Sequence, residues 1–189
     1  MNIEQRGKAM NKNMIYKDNS FFYKIPLKRR IKLHIVNDHW IVIKRYFILL
    51  RKAEYYGNKK TFMSRIMSFW FTRRKNKLGI KLGFYIPINS TKPGITIWHN
   101  GTVVINGDAK VGSGCIFHGN NCIGNNGKSL KAPIIGNNVE LGVGASIIGG
   151  VKIADNVKIG AGAVVLSSCE EEGVTLVGIP ARKVGGEKR

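Results

Sequence analysis

The chain has 189 residues, of which 43% are hydrophobic and 22% charged, and its formal net charge is +20 at pH 7. This length is sufficient for one core of useful size and an appendage. The apolar runs near the N-terminus are interrupted by Lys and Arg, so we do not expect them to span a membrane. Because the first residues lack the pattern of a secretion signal and the three cysteines lack metal-type spacing, we expect a cytoplasmic protein.

Glycine and charge divide the chain into two parts. Residues 1–83 hold 4 of the 23 glycines, and 21 Lys and Arg against 4 Asp and Glu. Residues 84–189 hold the other glycines, and 10 basic against 7 acidic residues. The composition therefore predicts a basic, mostly helical region over 1–77, a β-rich domain over 78–184 and a short tail over 185–189.

The basic region contains two predicted amphipathic helices, preceded by about twenty polar, aperiodic residues that we expect to be frayed. Apolar residues of the first helix recur at helical spacing: Trp40, Ile43, Phe47, Leu50 and Ala53. Apolar residues of the second helix share one face: Met63, Ile66, Met67 and Trp70. Neither helix is a predicted membrane span, because basic residues interrupt both.

The density of positive charge in this region indicates an anionic partner. Lys and Arg interleaved with aromatic residues on amphipathic helices suit an anionic membrane surface, so we expect peripheral contact at the inner face of the membrane. A solvated basic face is the alternative. Nucleic acid is not expected, since no helix-turn-helix, zinc-finger or RNA-binding signature accompanies the charge.

Aliphatic residues recur every six positions over the last third of the chain. The main series consists of Ile135, Leu141, Ile147, Ile153, Ile159 and Val165. A second series lies two positions before it: Val139, Ala145, Val151, Val157 and Ala163. The register extends back to about residue 105 and fails only at Ser129. A period of six predicts a left-handed parallel β-helix, in which three short strands make one coil of a triangular prism.

Two of the four histidines lie inside these repeats. His34 and His39 fall among the basic helices, where we expect surface or core-edge positions. His99 and His118 are 19 residues apart, close to the 18 residues of one coil, so the repeat places them at the same edge on neighbouring coils. Two such imidazoles can converge on one substrate, and His is the natural base near neutral pH. A surface His at a coil corner is the alternative for each.

The segment "GITIWHNGTVVINGDAKVGSGCIFHGNNCIGNN", with the later "VGIPARKV", resembles the serine acetyltransferase branch of the hexapeptide acyltransferases over about residues 78–184. It is most similar to members from bacterial capsule and surface-polysaccharide loci, which share "LGFYIPIN" and "GITIWHNGTVVI". The resemblance implies an acetyl-CoA-dependent O-acetyltransferase that works by direct transfer, with His99 as general base. His118 occupies a position where serine acetyltransferases often carry Gln. The family also implies a homotrimer, with a hexamer as a further option.

The resemblance implies that acetyl-CoA lies along the outside of the coils and that no metal is needed. Two positions, Ala145 and Ala163, correspond to alanines that contact the cofactor in relatives. Glycines keep the wall of the groove low, and cations near "GIPARK" suit the phosphate end of the cofactor. The predicted cofactor-binding residues are Gly124, Gly144, Ala145, Lys158, Ala163, Arg182 and Lys183. With only two histidines in the repeats, a three-histidine zinc site of the γ-carbonic anhydrase type is excluded.

Departures from the family's pattern concern the acceptor. Trp98 stands where the family has an Asp beside the base, and Phe84 stands where a second Asp orients the imidazole. Lys131 and Ala132 replace the Arg-His pair that binds the amino-acid carboxylate. We therefore predict a sugar or surface-polysaccharide precursor as acceptor, bound by Trp98 and Lys131. The alternatives are serine O-acetylation, with L-serine as acceptor, and a non-enzymatic β-helical scaffold.

Overall fold

The computed structural model describes residues 12–184, which form a helical region followed by three sheets of mainly parallel strands. Two short 3-10 helices, Lys12–Tyr16 and Ser20–Lys24, precede the α-helices α1 (Leu27–Ile35), α2 (His39–Gly57) and α3 (Phe62–Leu82). The predicted tail over 185–189 and the start of the predicted frayed segment lie outside the described residues. Helix α3 continues beyond residue 77, where the sequence placed the end of the helical region. No helix within the described residues is long and apolar enough to cross a bilayer.

Within residues 12–184, fourteen short strands follow the helices. They are β1 (Phe84–Tyr85), β2 (Thr96–Ile97), β3 (Val103–Ile105), β4 (Lys110–Val111), β5 (Ile116–Phe117), β6 (Asn121–Gly124), β7 (Ile134–Ile135), β8 (Glu140–Leu141), β9 (Ser146–Ile148), β10 (Lys152–Ile153), β11 (Lys158–Ile159), β12 (Val164–Val165), β13 (Thr175–Gly178) and β14 (Ala181–Val184). Sheet I has the order β1-β3-β6-β9-β12, sheet II β4-β7-β10, and sheet III β2-β5-β8-β11-β13-β14. All pairs are parallel except β13 with β14. The prediction of a parallel β-helix preceded by a helical N-terminal region is confirmed.

The inward positions of the coils are the ones that the six-residue period indicated. Every member of both aliphatic series is buried, and the main series supplies the buried residue of its strand, as in Ile159 of β11. The failure at Ser129 has a simple cause. Phe117 pairs with Leu141, so this coil is 24 residues long, and residues 125–133 form a loop between β6 and β7. A coil of four hexads keeps the register, because 24 is a multiple of six.

Helix α2 packs onto the open end of the β-helix and shares its core. Ile43, Tyr46 and Phe47 are fully buried in the same apolar cluster as the coils. The Tyr46 ring meets the Phe84 ring edge to face, with 5.3 Å between centroids. Such aromatic pairs favour edge-to-face contact. The two parts that composition distinguished therefore form one continuous core.

A buried arginine of α2 links the N-terminal segment and the first coil by hydrogen bonds. The Arg51 guanidinium donates to Asp18 at 2.7 Å and 3.0 Å and to Glu54 at 2.9 Å. It also donates to the backbone carbonyls of Thr91 and Lys92. The two carboxylates hold the pKa of Arg51 above its ordinary value despite burial, which acts in the opposite direction. A buried charge requires such partners.

The prediction that the N-terminal segment is frayed is wrong for its described part. Asp18 and Asn19 are buried, and both bond to the outer side of the first strand of sheet III. The Asp18 carboxylate accepts from the backbone of Gly94 and Ile95, and the Asn19 amide both donates to and accepts from the backbone of Ile97. These side chains occupy hydrogen-bonding positions that a further strand would otherwise fill. The segment is ordered by contacts that its own polarity did not reveal.

Candidate active site

The two repeat histidines lie on one edge of the prism, as predicted. We call it the histidine edge; it consists of the turns from sheet III to sheet I, residues 98–102, 118–120, 142–145 and 160–163. Ile97 pairs with Phe117, and the Trp98 N–H donates to the Phe117 carbonyl at 3.1 Å. His118 is therefore level with Trp98, and His99 lies one position further along its coil. His99 is exposed and His118 half-buried.

His118 has a carboxylate partner on the next coil. Its Nε2 atom lies 2.8 Å from Oε1 of Glu140, the first residue of β8. Both side chains remain about one-third exposed. The carboxylate fixes the ring orientation, which is what a substrate-facing imidazole requires. Glu140 was missed in the sequence because the looped-out hexad lengthens the coil and separates the two residues by 22 positions.

His99 has a partner from the helical region. Its imidazole stacks on that of His39, with 5.7 Å between centroids and 21° between planes. His39 Nδ1 lies 3.3 Å from the carboxylate of Asp38, which also accepts from the Trp40 N–H and so caps α2. The other ring nitrogen, His39 Nε2, is buried without a hydrogen-bond partner. The expectation for His39 was an edge position, and the sequence carries no signal that α2 would place it against His99.

The positions that depart from the family's pattern carry no carboxylate and have structural contacts. The Trp98 indole packs against Phe21 at 4.7 Å between ring centroids, and its carbonyl accepts from Trp40 Nε1 at 3.0 Å. Phe84 is buried in the core. Trp98 therefore belongs to the junction with the helical region, which is the physical reason that it is a poor candidate for an open sugar platform.

The histidine edge is open beside the predicted cofactor residues, but the contact atoms differ from expectation. Ala145 and Ala163 are fully buried at inward positions, so neither is available to a ligand on this surface. The glycines beside them are accessible: Gly144 and Gly162 have φ of 74° and 67°, which favours glycine. A Cβ on Gly162 would meet no atom within 4 Å. The accessible residues at this edge are therefore Gly144, which was predicted, and Gly162, and both are candidates for contact with a cofactor.

The predicted cations lie on sheet III, whose strands β2 and β5 lead into the turns that hold the histidines. Lys158 begins β11, and Arg182 and Lys183 lie on β14 of the same sheet. Lys158 and Arg182 are exposed, whereas Lys183 Nζ lies 2.6 Å from a Glu171 carboxylate oxygen. Lys158 and Arg182 are therefore the freer candidates for an anionic group.

The remaining predicted residues lie across sheet I from the histidine edge. Gly124 ends β6, and Lys131 lies in the following loop, where its stem crosses Gly150. A cleft of about 520 Å³ opens beside them, and its lining includes Asn126, Lys128, Gly149, Gly150, Leu166 and Ser168. A single chain does not bring Lys131 together with His99 and Trp98.

The described residues contain no group of three or more His, Cys, Asp and Glu side chains that could hold a metal ion. Cys115 is buried at an inward position, as predicted, and its burial raises the pKa of the thiol to about 11. A protonated, buried thiol is a structural residue and a poor nucleophile.

Comparisons with known proteins identify the repeats. Residues 132–167 match the bacterial transferase hexapeptide (six repeats) family. A serine acetyltransferase of Synechococcus elongatus is 41% identical over 93 residues, which cover 48% of this chain and 38% of that protein. Soybean serine acetyltransferase, solved as apoenzyme and in complex with serine, is 26% identical with a TM-score of 0.60, over 74% of this chain and 57% of that chain.

A third relative shares the fold. Serine acetyltransferase of Brucella abortus, solved in complex with coenzyme A, is 24% identical with a TM-score of 0.59, over 75% of this chain and 56% of that chain. The chain thus spans between about two fifths and three fifths of the length of the relatives described. Residues 132–167 of the β-helix are thus similar to the hexapeptide-repeat transferases. Among the relatives described, the similarity is to serine acetyltransferases.

The prediction of a sugar or surface-polysaccharide acceptor is wrong. The relative that is 41% identical is a serine acetyltransferase, and the structures described above are serine acetyltransferases too. The prediction depended on Trp98 as a sugar platform, and that indole is engaged by Phe21. These findings favour the alternative, L-serine.

Proposed function

We propose that this chain is a serine O-acetyltransferase that moves the acetyl group of acetyl-CoA to the hydroxyl of L-serine. The observation that carries the proposal is the placement of His99 and His118 on neighbouring coils at one open edge of a β-helix. The serine complex of the soybean relative supports the acceptor. The coenzyme A complex of a protein with the same fold supports the donor. We also propose that the coils wind left-handed, as hexapeptide repeats predict.

The exposed imidazole of His99 is the proposed general base. It takes the proton from the serine hydroxyl as the oxygen attacks the thioester carbonyl, and the C–S bond then breaks. The coenzyme A thiolate leaves and recovers the proton from the imidazolium. No covalent acetyl-enzyme is required in this proposal, and the residues of the histidine edge include no cysteine.

The amino acid has two further charges to bind. The Glu140 carboxylate, held beside His118, suits the ammonium group of serine. Lys131 suits the serine carboxylate, where the family has an Arg-His pair. Since Lys131 lies across sheet I from His99, we propose that a second copy supplies it and that the active form is a trimer, with the site between two subunits. Lys158 and Arg182 are the proposed partners of the phosphates of coenzyme A.

The test is an acetyl-transfer assay with purified protein, acetyl-CoA and L-serine. Release of free coenzyme A thiol should depend on serine, and O-acetylserine should be the product detected by mass spectrometry. The matched control is His99→Ala, and D-serine serves as a second acceptor control. Thiol release that is independent of L-serine, or no O-acetylserine, would contradict the proposal.

A further inference from the structure

One face of helix α3 is apolar and basic and is exposed to solvent. Its inner face consists of Ser64, Phe71, Lys75, Gly79 and Leu82, all buried. The opposite face, which we call the α3 outer face, consists of Phe62, Met63, Ile66, Phe69, Trp70, Arg73, Lys77 and Ile80, all exposed. Phe62, Phe69 and Ile80 are 76%, 72% and 84% exposed. The apolar residues therefore do not stabilise this chain by burial.

The basic residues around this face have no acidic partners within the helix. Helix α3 contains no Asp or Glu, and Arg65, Arg74 and Lys81 add exposed positive charge to that of the outer face. The Arg74 guanidinium lies 4.5 Å from the centroid of the Trp70 ring, a cation–π contact. The guanidinium and the indole therefore form one combined cationic and aromatic surface.

The few acidic residues of the helical region are engaged elsewhere. Asp18 and Glu54 are buried against Arg51, and Asp38 caps α2. The fourth acidic residue of 1–83, Glu4, lies outside the described residues. The positive charge of α3 is therefore not neutralised by the described part of the chain, and it is available to an external anion.

We infer that the α3 outer face docks on a membrane surface that contains anionic lipids, with the helix lying in the plane of the interface. Apolar side chains enter the boundary between headgroups and acyl chains, while Lys and Arg meet the lipid phosphates. A second copy of the chain would place like charges against each other, which opposes association. Nucleic acid would leave the exposed Phe62, Phe69 and Ile80 without apolar contacts.

Helix α1 has the same character. None of its residues is buried, and Leu27, Ile31 and Ile35 are exposed beside Lys28 and Lys32. It is therefore a second basic helix with exposed apolar residues. The inference itself depends on α3 alone, and it is independent of the acetyl-transfer reaction.

The experiment is flotation of the full-length protein with vesicles of phosphatidylcholine, with and without phosphatidylglycerol. The protein should float only with the anionic vesicles, and added salt should reduce binding because the charge contribution is screened. The triple variant Phe62→Ser, Ile66→Ser, Phe69→Ser should bind at least about tenfold more weakly. The charge variant Arg73→Glu, Lys77→Glu should lose binding to a similar extent.

Matched controls are Leu130→Ser and Ile179→Ser, which replace residues of the β-helix that are 87% and 74% exposed. Both should bind vesicles like the unmodified protein. Circular dichroism should show all variants folded, since exposed substitutions cost little stability. Equal binding by the triple variant, or no binding by the unmodified protein, would overturn the inference. A triple variant with a smaller mass by light scattering would assign the face to a second copy instead.

Discussion

The imidazole of His39, the first residue of α2, stacks on the imidazole of His99 with 5.7 Å between the ring centroids. The helical region thus reaches directly to the proposed general base. His39 is held in turn by Asp38 at 3.3 Å, so a carboxylate and two imidazoles follow one another at this point. Trp98 and Phe84 occupy the two positions at which the family has an Asp for the base. In this chain His39 at the start of α2, with its neighbour Asp38, supplies the polar groups next to His99 instead.

Replacing His99 by Ala should lower kcat by about 10²- to 10⁴-fold, the usual contribution of a general base. Acetyl-CoA affinity, measured by calorimetry, should change little, because the proposed cofactor contacts at Gly144 and Gly162 lie further along the edge. His118→Ala is the informative partner variant. If it abolishes the reaction while His99→Ala remains fully active, the wrong imidazole has been assigned.

Replacing His39 by Ala should lower kcat roughly tenfold with little effect on the KM for serine, because a loosened His99 ring loses its alignment. His34→Ala, on α1, is the matched control and should behave like the unmodified enzyme. His39→Phe preserves a flat ring without a nitrogen and should restore part of the loss if stacking alone positions His99. Unchanged kcat in His39→Ala would show that the stacked pair has no part in the reaction.

Replacing Lys131 by Ala should raise the KM for serine by roughly 10- to 100-fold, since a hydrogen bond to a charged group contributes about 1.5–3 kcal/mol. The effect on kcat should be smaller. Lys128→Ala, in the same loop, is the control for a general change of charge. An unchanged KM in Lys131→Ala would remove this residue from the serine site.

Arg51→Met should lower the free energy of unfolding by about 3–5 kcal/mol, because it leaves Asp18 and Glu54 buried without their cation. Urea denaturation followed by circular dichroism measures this. If Arg51→Met does not fold, Asp18→Asn is the milder test, since it removes one carboxylate and preserves the shape. Arg65→Met, an exposed arginine, should change stability by no more than about 0.5 kcal/mol. A similar small change in Arg51→Met would refute a stabilising role.

The free energy of unfolding should fall between about pH 9 and pH 11 because of Cys115. The pKa of its thiol is raised by burial from 9.0 to about 11, so the unfolded chain ionises in this window while the folded chain does not. Cys115→Ala removes this contribution, which is at most about 2–3 kcal/mol. The stability difference between the two proteins should therefore change across this window and be constant below it. A constant difference up to pH 11 would contradict the assignment.

The β-helix could be predicted because its signal is repeated. An aliphatic residue recurs every six positions through many repeats. The inward positions of Leu141, Ile147 and Ile159 can therefore be assigned although the period is interrupted at Ser129. The helices were also predictable from spacing, but the direction of α3 was not. Its packing face uses the small residues Ser64 and Gly79, which hydrophobic patterns do not weigh, so the apolar residues are left outside.

The active-site edge was predictable only in part. Coil arithmetic placed His99 and His118 together, because both lie in the repeat. Their partners Glu140 and His39 could not be found in this way. Glu140 depends on a coil of unusual length, and His39 depends on how a helix docks 60 residues away in the chain. Tertiary contacts of this kind leave no local pattern.

The bonds from Asp18 and Asn19 to the first strand of sheet III have a consequence for assembly. A solenoid ends in strands whose outer N–H and C=O groups are free to pair with another molecule, and repetition of that pairing produces filaments. At this end the two side chains occupy the pairing groups of Ile95 and Ile97, and at the other end of the sheet β14 reverses direction against β13. The N-terminal segment therefore blocks strand pairing between two copies of the chain at this edge.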